Sequence, residues 1–165
     1  MRAVVVTVSD KGYAGEREDR SGPVLAEALA DLGAEVVERH IVPDEPERIS
    51  ALLAQLADRG DIDVIATTGG TGIAPRDHTP EATRAAIDYE VPGIAEVLRF
   101  EGYRKTPLAV ISRGVVGVRG RCLIVNLPGS AKAVAEGMET LGAILPHAVK
   151  MVRGKDLEHG GHAHG

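Results

Sequence analysis

The sequence predicts an α/β fold, a three-layer α/β/α sandwich around a mainly parallel central sheet, and three observations predict it. The apolar runs are short and continuous rather than alternating, as in strands buried on both faces. Segments with helical periodicity separate them, the order that builds parallel sheets through crossover helices. The chain is 44% hydrophobic but only 2% aromatic and lacks Trp, so its core is an aliphatic one. A length of 165 residues suits a single domain. We place that domain at 1–154 and expect a flexible Gly/His-rich tail at 155–165, whose His159, His162 and His164 are too loosely held to preorganise a metal site.

The first strand is AVVVTV, 3–8. A helix comes next over 21–33, where Val24, Leu25, Ala28, Leu29 and Leu32 form a stripe between Ser21 as N-cap and Gly33 as stop. Strand 34–42 leads to a helix over 46–60, opened by Pro46 and carrying Ile49, Leu52, Leu53 and Leu56. Strand 62–67 runs into a Thr/Gly loop, after which Thr79 as N-cap and Pro80 in the first turn signal a helix over 80–88, with another at 92–104. LAVIS, 108–112, reads as a fourth strand and CLIVN, 122–126, as a fifth. Between them RGVVGVRGRC holds three glycines and is too short for a helical crossover, so a small hairpin excursion is expected. A last helix spans 130–152, with a break at Pro146.

A net charge of −5 gives no general attraction to a phosphate backbone or an acidic membrane, which argues against nucleic acid and membrane partners. The single cysteine, Cys122, sits in an apolar run and reads as a buried hydrophobe in a reducing compartment. The N-terminal apolar run is too short for a signal peptide or a span, so a soluble cytoplasmic protein is expected.

Ligands of open parallel sheets bind beyond the carboxyl ends of the strands. The residues just past each predicted strand are therefore informative: Ser9-Asp10-Lys11, Pro43-Asp44-Glu45, Thr68-Gly69-Gly70-Thr71-Gly72, Ser112-Arg113-Gly114, and Asn126-Leu127-Pro128-Gly129-Ser130. The Thr/Gly loop offers backbone N–H groups without Cβ obstruction, suited to phosphate oxygens. It is neither a Walker motif nor a dinucleotide fingerprint, and taken alone it serves equally as a tight strand-to-helix turn. Arg76 and Asp77 fall just ahead of the Thr79-Pro80 helix start, where the dipole and Arg76 together favour an anion. Asp44 and Asp77 suit Mg²⁺ held with phosphates, which takes one or two carboxylates, and Asp10 is a third candidate. Each has a plain alternative: the aspartates as caps or solvated turns, Arg113 as a surface ion-pair partner, Ser130 as an N-cap, His78 as a turn residue. No Ser-His-Asp or Cys-His set is evident.

VSDKG, VPDE, TTGGTG with PRDHTPEA, ISRG and NLPGS resemble, in this order and spacing, the MogA/MoaB family of molybdenum-cofactor biosynthesis proteins. The resemblance covers nearly the whole domain. It implies a Rossmann-like molybdopterin-binding domain, commonly a homotrimer or dimer of trimers, with molybdopterin adenylyltransferase activity on ATP and Mg²⁺ and a molybdenum insertase downstream. The family's two essential aspartates fall on Asp44 and Asp77. The loop Thr68 to Gly72, with Ser9, Asp10, Arg76, Ser112, Arg113 and the turn Pro128-Gly129-Ser130, is similar to the family's ligand-binding walls. Some members of MoaB type keep the fold without the activity, so a silent pterin-binding carrier or scaffold is the competing class; intact Asp44 and Asp77 argue for the enzyme.

Overall fold

The computed structural model describes residues 1–154; the expected tail, its histidines included, lies outside the described residues. A sheet of six strands runs in the order β2 (Glu35–Val42), β1 (Arg2–Val8), β3 (Val64–Thr68), β6 (Cys122–Leu127), β5 (Val116–Arg119), β4 (Tyr89–Glu90). The first four are parallel, while β5 and β4 join antiparallel at one edge, and a single-turn helix, α1 (Asp10–Tyr13), follows β1.

The pleat explains the layers. Ala3 and Val5 of β1, with Val64, Ala66, Leu123 and Val125, face α2 (Ser21–Asp31), α6 (Ala131–Gly142) and α7 (Leu145–Arg153). Their neighbours Val4, Val6, Ile65 and Ile124 face α3 (Pro46–Asp58) and α4 (Thr79–Ala86) on the other side. Alternate side chains of one strand point to opposite faces, so continuous apolar runs such as AVVV feed two cores at once. β2 departs from that expectation: it is an edge strand, and its residues are mostly exposed or half-buried.

The expected strand at 108–112 is corrected. Pro107–Ile111 forms a 3-10 turn after α5 (Pro92–Lys105), with Leu108 and Val110 exposed. The strand lies instead in the expected excursion, where β5 turns at Gly120 (φ +57) into β6. The last helix breaks before Pro146, which occupies the first turn of α7. Two caps also differ. Gly22 N donates to Asp19 Oδ1 at 2.9 Å, so Asp19 rather than Ser21 satisfies the start of α2. Thr79 is the first residue of α4 and donates its hydroxyl to Gly69 O at 2.9 Å. Ser130 caps α6, the plain alternative to its expected binding role, accepting from Ala133 N at 3.1 Å.

Among the described residues no helix is long and apolar enough to cross a membrane.

Candidate active site

The chain leaves β1 on one side for β2 and crosses back over β1 to reach β3, so the sheet's order reverses at the carboxyl ends of β1 and β3. Gly69 and Gly70 lie there. Gly69 (φ +101) passes so close to β1 that a Cβ would stand 2.3 Å from Val8 O. Gly70 (φ +68) faces Thr79 Oγ1 and Asp44 Oδ2, which a Cβ would meet at 2.3 and 2.8 Å. The double glycine is thus required twice, for backbone handedness and for space.

Two cavities flank this loop. One, of about 480 Å³, lies between α5, α6 and the 3-10 turn, with Thr71, Gly72, Asp77, Ser112 and Pro128 at its polar end. The other, of about 660 Å³, lies over the ends of β1 and β3, bordered by Ser9, Thr68, Gly69, Ser130 and the segment Arg17 to Ser21. Gly70 and Gly129 border both.

The peptide groups of the loop are sorted by direction. Thr79 Oγ1 donates to Gly69 O, Thr79 N to Gly70 O at 3.1 Å, Arg113 N to Thr71 O at 2.7 Å, and Arg113 Nε to Gly72 O at 2.8 Å. Gly69 N–H is engaged by Leu127 O at 3.1 Å. The N–H groups of Gly70, Thr71 and Gly72 have no acceptor among the described residues. A run of such donors is an anion-binding concavity.

The carboxylates stand beside it. Asp44 is 7% exposed and accepts from His78 N at 3.0 Å through Oδ1. Burial pushes its carboxyl above the usual value, against the lowering effect of that hydrogen bond. Asp77 braces the loop by accepting from Ala74 N at 2.9 Å through Oδ2. Asp10 is held down to about 2 by the Arg76 guanidinium, helped by Asp44 N, which donates to it at 2.9 Å.

This geometry redistributes the expected roles. Arg76 grips Asp10 through Nε at 2.7 Å and Nη2 at 2.9 Å and reaches Asp44 O at 3.4 Å. Arg113 donates Nε to Gly72 O, Nη2 to Asp77 O at 2.9 Å, and pairs its Nη1 with Glu81. Asp44 borders neither cavity, its Oδ2 facing Gly70 instead, and the same holds of Arg76, Arg113 and Asp10. They fasten the loop from behind. Ser112 and Arg113 reach this edge by a route other than the expected one, for they precede antiparallel β5, whose start pairs with the end of β6 at Val116 and Val125.

Sequence reasoning gave no role to three features, the first of them a strand-end residue it had named. Asn126 is 3% exposed; it accepts from Val115 N and donates to Thr67 Oγ1 and Thr83 Oγ1, each at 3.0 Å, tying two strands and α4 together under the loop. Its signal was a polar residue ending an apolar run. Segment 17–21 borders the second cavity although no predicted strand leads into it. Arg99 of α5 borders the first cavity and was hidden inside a helix.

Residues 4–147 match the family described as "Probable molybdopterin binding domain". The molybdopterin adenylyltransferase of Pyrococcus furiosus is 43% identical over 90% of this chain and 89% of its own. The molybdenum cofactor synthesis protein cinnamon of Drosophila melanogaster is 44% identical over 90% of this chain, which spans only 25% of that longer protein. Among solved structures, the molybdopterin biosynthesis enzyme MoaB of Thermus thermophilus superposes with a TM-score of 0.88 at 54% identity, over 93% of this chain and 96% of that one.

Proposed function

The chain belongs to the molybdopterin-binding domain family of molybdenum cofactor biosynthesis, and from that premise we propose that it is a molybdopterin adenylyltransferase acting within residues 1–154. The observation that carries the reading is that two cavities meet at Gly70 and Gly129, beside the N–H groups of Gly70 to Gly72, which have no acceptor among the described residues. A reaction that joins two phosphorylated molecules needs two sites sharing one anion-binding wall.

In the proposed step an oxygen of the terminal phosphate of molybdopterin attacks the α-phosphorus of ATP, the bond from that phosphorus to the bridging oxygen breaks, and pyrophosphate leaves with the electron pair. A phosphate monoester has a second pKa near 6, so the nucleophile is largely dianionic at neutral pH and needs no general base. What opposes reaction is repulsion between anions and charge building on the leaving group. Fixed donors that need no reorganisation lower that barrier. Gly70, Thr71 and Gly72 supply N–H groups, and Ser112, Gly129, Ser130, Thr68 and Ser9 border the bound molecules.

Asp44 and Asp77 fit a Mg²⁺ ion bound together with phosphates, since one oxygen of each carboxylate already serves the loop and the other, Asp44 Oδ2 or Asp77 Oδ1, is left over. Among the described residues no group of three or more acidic, His or Cys side chains forms a cage for a metal on its own. When bound there the ion supplies charge neutralisation for the triphosphate. Arg76 and Asp10 hold the turn that carries Asp44, and Arg113 holds the loop carbonyls. On the same reading the protein is a cytoplasmic homotrimer or dimer of trimers that passes adenylylated pterin to a molybdenum insertase.

The test is to incubate the protein with molybdopterin, ATP and Mg²⁺, follow pyrophosphate, and identify adenylylated pterin by mass spectrometry. Asp77→Asn is expected to cripple turnover while leaving molybdopterin affinity largely intact. Tight pterin binding without pyrophosphate release would sink the enzyme and leave a binding protein.

A further inference from the structure

Arg17 and Arg20 border the second cavity; around the Thr/Gly loop and the first cavity stand Arg76, Arg99 and Arg113, and hydrogen bonds divide these three. The guanidinium groups of Arg76 and Arg113 are committed to Asp10, Glu81 and loop carbonyls, outside both cavities. Arg99 projects from α5 into the wall of the first cavity, where it is half-buried. It makes one hydrogen bond, Nη1 to Gly114 O at 2.8 Å, and among the described residues its Nε and Nη2 have no acceptor and no carboxylate pairs with it. The other cation on that wall, Lys105, is paired with Glu139 at 3.1 Å.

The bond to Gly114 O also fixes where the guanidinium sits. A Cβ on Gly114 would stand 3.2 Å from Asn126 O and 3.4 Å from Ser112 Oγ, so Arg99 is moored at the carboxyl end of β6, at one end of a cavity whose apolar wall is Ala95, Leu98, Leu108 and Ala109 and which Glu136 and Glu101, the latter paired with Arg104, also border. A guanidinium carries five N–H donors in a planar fork that matches two phosphate oxygens. Apolar walls with a free fork at one end suit a flat heterocycle bearing a phosphate.

We infer that Arg99 is the cation that receives a phosphate of the phosphorylated heterocycle held between α5 and α6. The inference rests on the proposed joining of two phosphorylated molecules, and both substrates of that reaction share the required chemistry. Arg99 is then a substrate-binding residue of α5, and the arginines of the conspicuous loop are its supports.

The experiment measures equilibrium binding of molybdopterin alone and of ATP with Mg²⁺ alone to the wild type, Arg99→Gln and Arg99→Lys, beside pyrophosphate release and thermal melting. Arg99→Gln is expected to weaken one ligand at least tenfold and the other less than twofold, with an unchanged melting temperature. The KM of the weakened ligand rises in step, and Arg99→Lys recovers part of the loss. The ligand that weakens identifies the occupant of the cavity. Unchanged affinity for both ligands overturns the inference. So does an equal loss for both accompanied by a lowered melting temperature, which makes Arg99 a brace for the Gly114 backbone. A wild type that binds both ligands yet releases no pyrophosphate defeats the adenylyltransferase reading and leaves the Arg99 binding difference standing; a wild type that binds neither overturns both.

Discussion

Replacing Gly70 by Ala separates two demands that the active-site turn makes of one residue. The first is conformational: at φ +68 an L-residue pays about 1–2 kcal/mol. The second is steric, because the new methyl would lie 2.3 Å from Thr79 Oγ1, and that fully buried hydroxyl holds Gly69 O. Displacing it leaves buried polar groups unpaired at a cost of about 1–3 kcal/mol. Together the loss is about 2–5 kcal/mol, a large share of the roughly 5–15 kcal/mol that stabilises a domain. Gly60 supplies the control, since it has a similar φ of +82 with no atom within 4 Å of the added methyl. Gly60→Ala therefore carries the conformational cost alone, and the gain from a stiffer unfolded chain is common to both variants. Urea unfolding followed by circular dichroism should show Gly70→Ala less stable than Gly60→Ala by about 1–3 kcal/mol. Losses equal to within about 0.5 kcal/mol would refute the packing of Thr79 and Asp44 around Gly70 and the reason given for the double glycine.

Three further outcomes are expected. Burial raises the folded-state pKa of Asp44, so ionising it costs stability: that cost grows as pH rises from the unfolded value of about 4 through the raised folded one, and persists above it. Asp44→Asn, which keeps an acceptor for His78 N, should abolish turnover yet raise the urea midpoint at pH 7; a lowered midpoint would contradict the assignment. Arg153 and Asp63 form an ion pair with side chains only 14% exposed, and Arg2 N also donates to Asp63 Oδ2 at 2.6 Å. Arg153→Met should cost about 3 kcal/mol and adding Asp63→Asn should recover part of it, so strictly additive losses in the double variant would count against the pair. Burial pushes the Cys122 thiol up to about 12, so a disulfide reagent at pH 8 should label it only after denaturant is added; rapid labelling of the native protein would mean that β6 is accessible.

How much of this was legible in the chain depends on the distance over which each interaction acts. β1, β3 and β6 were readable because AVVVTV, IDVIAT and CLIVN each satisfy two cores with no help from elsewhere. LAVIS misled because a run of the same composition can close a 3-10 turn behind Pro107 and leave Leu108 and Val110 in solvent. The true strand was disguised by Gly117, which is glycine because Ile87 and Tyr89 O crowd the place of a Cβ at 2.4 and 2.8 Å. Clustering of the polar residues at one sheet edge followed from the strand-end rule. The partners of the arginines did not, because Arg76 meets a carboxylate 66 positions away and Arg113 one 32 away. Such choices are made by folding, after local pattern has been exhausted.

The orientation of peptide units 69–72 has an electrical consequence. On the proposed function a chain of net charge −5 receives polyanions, and the loop offers them dipoles whose negative ends are turned into the protein and neutralised there. The field of a dipole fades faster with distance than that of a charge, so these N–H groups attract only at contact, and what reaches further is the charge of Arg99 set against the net negative charge of the chain. Capture should therefore be slow beside that of a basic cleft, and added salt should speed it rather than slow it, by screening the repulsion between two anions. In such a protein, selectivity for phosphate is expressed in the dwell time of the bound molecule rather than in the frequency of its arrival.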